Sequence, residues 1–96
     1  MTLKENLLSF SGSLSIATTD APDDYPEWRY ITYEMHMADL KELWSKIRPE
    51  LTKDAHRIDF IDKKLQEAFA AFDAGEKKKG RDAVWELYNL KIENFR

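Results

Sequence analysis

LSFSGSLSI, residues 8–16, alternates without a break, and the fold turns on how it is read. Leu8, Phe10, Gly12, Leu14 and Ile16 fall on one side and Ser9, Ser11, Ser13 and Ser15 on the other. That is the period-two signature of a strand with one wet face. A second alternation sets Ile31, Tyr33, Met35 and Met37 against Tyr30, Thr32, Glu34 and His36, with the β-branched and aromatic content that strands favour. Between the two, residues 20–26 (DAPDDYP) hold two prolines and three aspartates, the composition of a connecting loop. The expectation is a two-stranded antiparallel hairpin over about residues 8–37. Such a hairpin is marginal in water unless something packs on one face.

Downstream the period lengthens. Leu40, Leu43, Trp44 and Ile47 have helical spacing, which predicts a helix from Asp39 that ends before Pro49. Ala55, Ile58, Ile61, Leu65, Ala68, Phe69 and Phe72 share one face of a second helix over residues 52–74, with Gly75 able to take positive φ as its C-terminal cap. The connection GEKKKG, residues 75–80, is short enough to force the next helix antiparallel. That third helix is expected over about residues 79–95. Ala83, Leu87 and Leu90 form one apolar stripe on it, and Trp85, Tyr88, Ile92 and Phe95 lie on an adjacent arc. The fold expected is α+β, one small domain over residues 1–96 with the N-terminal hairpin followed by three helices. An all-α three-helix bundle with an irregular N-terminal arm is the alternative.

Composition narrows the function. No cysteine is present, so neither disulfides nor thiolate metal sites hold the chain together, and five Phe, four Tyr and three Trp must supply the adhesion. The start lacks a continuous apolar run of signal-peptide type and no stretch approaches membrane-spanning length, so a cytoplasmic protein with no membrane role is expected. The net charge of −3 hides an asymmetry: residues 1–38 carry 2 basic and 6 acidic side chains, residues 39–96 carry 13 and 12. Neither part has the broad basic excess of a nucleic-acid-binding domain.

No motif specifies catalysis. His36 and His56 fall on different elements; His56 has Asp59 on its helix face, but a metal site needs a further ligand from elsewhere, so no metal or other cofactor is expected. The serines sit in no nucleophile elbow, and Gly75 and Gly80 are not followed by a phosphate-cradling Gly-Lys-Ser/Thr ending. An enzyme is therefore not expected. Two features suit recognition of a protein partner or of a second copy of the chain: the aromatic arc Trp85, Tyr88, Ile92 and Phe95, and the acidic aromatic segment with Tyr25 and Trp28. A small protein-binding or regulatory module, acting through the arc of the last helix, is the expected function. The alternative is a nucleic-acid-associated accessory protein using the basic cluster Lys77, Lys78, Lys79 and Arg81.

Overall fold

Leu3, Leu7, Phe10, Leu14, Ala17 and Ala21 recur at alternating steps of four and three, a helical stripe running through the serine alternation. In the computed structural model, which describes residues 2–96, the longer period wins and the segment is helix α1 (Leu3–Asp20). Its start is fixed by a reciprocal cap: Thr2 Oγ1 accepts from the Glu5 amide at 3.2 Å, and Glu5 Oε1 accepts from the Thr2 amide at 3.3 Å. The hairpin expected over residues 8–37 is thereby overturned, and no strand occurs among the described residues. Burial is decisive. A strand would turn all four serines outward and all five partners inward; instead Ser11 and Ser13 are buried while Leu8 and Gly12 are exposed.

The second expected strand is the first part of helix α2 (Tyr33–Ile47). Thr32 caps it, its Oγ1 accepting from the Met35 amide at 3.1 Å, so the helix starts at Tyr33 and not at Asp39. His36, Met37, Leu40, Leu43, Trp44 and Ile47 form its buried stripe. The all-α alternative thus fits in class, but the N-terminal arm is itself a helix and not irregular.

Helix α3 (Ile58–Asp73) follows a single turn at Ala55–Arg57. Gly75, at φ 77°, closes it as expected: the Gly75 amide donates to Phe72 O at 3.1 Å and the Glu76 amide to Ala71 O at 2.8 Å. Helix α4 (Lys77–Tyr88) then packs back along α3. The sequence reading extended this helix to Phe95, but it stops at Tyr88. Lys91 adopts a left-handed conformation at φ 57°, and the short turn Ile92–Asn94 folds back onto α1. There Ser11 Oγ donates to Glu93 Oε2 at 3.1 Å.

Helix α1 is the centre of the molecule, with α2 packed on it together with α4 and the C-terminal turn. Phe10 stacks on Trp44 with ring centroids 5.7 Å apart. Trp44 Nε1 in turn donates to Asp62 Oδ1 at 2.6 Å, which ties α2 to α3. Apolar side chains from all four helices and the C-terminal turn join in one core.

Candidate functional site

The chain between α1 and α2 is held at its base and open at its tip. At the base, Arg81 of α4 donates from Nε to Ala21 O at 2.7 Å and from its guanidinium to Asp24. Lys77 pairs with Asp23 at 2.9 Å and also with Asp24. The hydrogen bonds from Lys77 and Arg81 hold the Asp24 carboxyl below its ordinary range, and Asp24 and Asp23 raise the Lys77 ammonium. On the other side, buried His36 lies with Nε2 2.9 Å from Ser13 O, a carbonyl that can only accept. Nε2 therefore carries a hydrogen, and Nδ1 shares a hydrogen bond with the Tyr25 hydroxyl at 2.7 Å. Tyr25 is an anchor of the loop, half-buried against His36, with the two rings edge to face.

Both tyrosines beside this anchor resist ionisation. Burial, reinforced by nearby Tyr33, pushes the Tyr25 phenol well above its ordinary value of 10.0. Burial and then Asp73 push Tyr33 up to about 12. A phenol whose pKa is raised on folding costs nothing below the unfolded value, but above it the unfolded chain sheds a proton that the folded chain keeps. Stability should therefore fall as pH rises from 10 toward about 12. Thermal melts of the wild type and of the Tyr25→Phe/Tyr33→Phe variant across that window test this; an equal fall in both would remove these phenols as its source.

At the tip, a single turn at Glu27–Arg29 leads to Tyr30. Trp28 is 72% exposed, Tyr30 88% and Met35, on the first turn of α2, 57%. Tyr30 sits at φ 53°, ψ 32°, a left-handed conformation that costs a bulky residue about 1–2 kcal/mol. So exposed a side chain recovers little of that through packing. Tyr30→Asn, which suits this backbone, should raise stability by about 1 kcal/mol, read as a higher urea midpoint at unchanged slope. An unchanged or lower midpoint would mean that the tyrosine ring stabilises the loop after all.

The four residues of the expected aromatic arc do not form one surface. Trp85 is 52% exposed and lies on half-buried Tyr88, ring centroids 5.9 Å apart. Ile92 and Phe95, beyond the reversal at Lys91, are buried within the chain, with Arg57 over the Phe95 ring at 5.2 Å. The basic cluster is divided as well. Lys77 and Arg81 turn toward the loop aspartates, Lys78 pairs with Asp82 at 2.9 Å, and Lys79 lies 3.7 Å from Glu76.

Polar pairs of catalytic residue types resolve into structure. Ser13 Oγ is 3.0 Å from His36 Nε2, but that nitrogen also faces the Ser13 carbonyl and both side chains are buried, so no free base addresses an accessible hydroxyl. His56 is exposed, and Asp62 is taken by Trp44 and by Arg48 at 3.0 Å. Among the described residues no group of three His, Asp or Glu is placed to hold a metal ion, and no helix is long and apolar enough to cross a membrane. Sequence reasoning found Trp28, placed Tyr30 both at the end of the acidic aromatic segment and in a strand, and missed Met35 by assigning it to that strand. Thr32, a capping residue before a helical stripe, was the available signal for Met35; the left-handed backbone at Tyr30 had none. No family model, no curated protein and no solved structure matches this chain.

Proposed function

We propose that this chain is a small non-enzymatic protein-binding module whose recognition element is the loop bearing Trp28 and Tyr30, backed by Met35. The observation that carries this reading is a fully presented aromatic side chain on a costly backbone at Tyr30, above a base fixed by Arg81, Lys77 and His36. Exposed aromatic rings on a pre-ordered loop bring large contact area at low entropic cost, the composition of interface hot spots. From α4, Trp85 with Tyr88 offers a second contact. A photo-crosslinking residue at position 30, expressed in the native host, should join the chain to one defined protein, whereas the same residue at exposed Ser45 on α2 should not. Equal labelling from both positions, or none from position 30, would refute the reading.

A second reading draws on Lys78 and Lys79, whose side chains are exposed at the first turn of α4, where no side chain caps the backbone amides. A helix start of this kind attracts phosphate, and here the chain would act as a nucleic-acid-associated accessory protein. Tight, salt-dependent binding of duplex DNA or RNA, lost when Lys78 and Lys79 become glutamine, would establish it over the first.

A further inference from the structure

Glu34, Ala38 and Lys41 recur at steps of four and three and so share one side of α2, and Phe69 and Asp73 lie one turn apart on α3. Together with half-buried Tyr33 and buried Met37 they line a cleft of about 290 Å³ between the two helices. At the small end of ligand-pocket sizes, it suits a single side chain and not a whole metabolite. Its acids are barely used: among the described residues Glu34 forms no hydrogen bond or ion pair, and Asp73 accepts only from the Tyr33 hydroxyl, at 3.3 Å. Burial raises the Tyr33 phenol, and the charge and hydrogen bond of Asp73 and then the charge of Glu34 raise it further, so both carboxylates act on the same point. The cleft also holds a cation already. The Lys41 ammonium lies over the Phe69 ring, 4.8 Å from its centroid, and joins no carboxylate in an ion pair.

We infer that this cleft receives the guanidinium of an arginine on a partner protein, which displaces Lys41 from the face of Phe69 and is neutralised by Glu34 and Asp73. The seated lysine is the chain's own stand-in for that group. Aromatic faces attract cations through the ring quadrupole, and a planar, weakly hydrated guanidinium both stacks on a ring and forks toward carboxylates, which a compact, strongly hydrated ammonium does not. A partner's lysine would only exchange one ammonium for another. Lys41 is exposed, and its flexible stem lets it swing into water, leaving two carboxylates facing the incoming charge. Ala38, also exposed, keeps the entrance open with a single methyl group. The cleft stands on residues other than those of the Trp28 and Tyr30 loop, so it adds a second point of contact to the binding role proposed above.

The test titrates capped Gly-Arg-Gly, Gly-Lys-Gly and Gly-citrulline-Gly peptides into the isotope-labelled chain and follows its amide resonances. The arginine peptide should give saturable shifts centred on residues 33–41 and 69–73, the lysine peptide should bind at least about threefold more weakly, and neutral citrulline should give none. Glu34→Gln/Asp73→Asn should weaken the arginine peptide by about fivefold. Ala38→Leu, which fills the cleft without altering its charge, should abolish saturation, whereas Lys41→Met removes the competitor and should tighten binding by about threefold. Positions 34, 38 and 73 are exposed, so melts of the variants that weaken binding should match wild type. Equal affinity for the arginine and lysine peptides would overturn the guanidinium assignment, and weaker binding in Lys41→Met would overturn the displacement. Saturable shifts that survive Ala38→Leu, or no saturable shifts at all, would remove the cleft as the site. None of these outcomes bears on the loop, whose role is decided by the crosslink at position 30.

Discussion

Replacing Phe10 with alanine should cost about 3–5 kcal/mol, the range for deleting a fully buried aromatic side chain. Phe10 is wholly shielded from solvent at the middle of α1 and stacks on Trp44, so its removal leaves a cavity where α1 meets α2. A domain of this size is stabilised by only about 5–14 kcal/mol, so the variant loses about a fifth of its margin or more. Leu8→Ala is the companion. A strand over residues 8–16 would place Leu8 and Phe10 on the same inner face, whereas on α1 Leu8 is exposed and its truncation should cost no more than about 0.5 kcal/mol. Urea unfolding of the two variants separates these arrangements; equal losses would contradict the helix.

Gly80→Ala should also destabilise, against the usual rule that alanine improves a helix interior by about 1 kcal/mol. A Cβ at position 80 would sit 2.5 Å from two ring atoms of Phe72. Phe72 is itself buried and met edge-on by Tyr33 at 5.9 Å, so its ring has no free direction in which to retreat. Overpacking of this kind costs about 1–3 kcal/mol. In chemical denaturation Gly80→Ala should lose stability while Gly12→Ala, whose Cβ would meet nothing within 4 Å, gains it. A gain at both positions would mean that α3 and α4 approach less closely than described.

Much of the C-terminal half could be read from sequence because its apolar stripes are unambiguous and its joint is chemically marked. Ile61, Leu65, Ala68 and Phe72 are buried on one face of α3, and Gly75 has the positive φ its position demanded. The N-terminal half misled for a physical reason. Within residues 8–16 every second residue is serine, so Phe10 and Leu14 satisfy both a period of two and a helical stripe; the deciding residues Leu3, Leu7, Ala17 and Ala21 lie outside that window. Thr2 with Glu5, and Thr32, were the helix-start signals that the alternation obscured. The aromatic arc was drawn on a helical wheel through residues 89–91, where no glycine or proline announces the break. The basic cluster looked free because nothing in a linear chain reveals that Asp23 and Asp24 lie opposite Lys77 and Arg81.

The clasp between α1 and the C-terminal turn carries a consequence for the order of folding. The α3–α4 hairpin closes over a three-residue joint, while the Ser11–Glu93 contact spans 82 residues. With closure entropy growing as the logarithm of loop length, the long closure costs roughly 3 kcal/mol more. The hairpin therefore forms early, and the clasp of the C-terminal turn onto α1 closes late. Amide exchange in α1 and in residues 92–95 should then share a single opening event, and each such opening also releases the Ser13 contact that steadies His36 and, through it, the recognition loop.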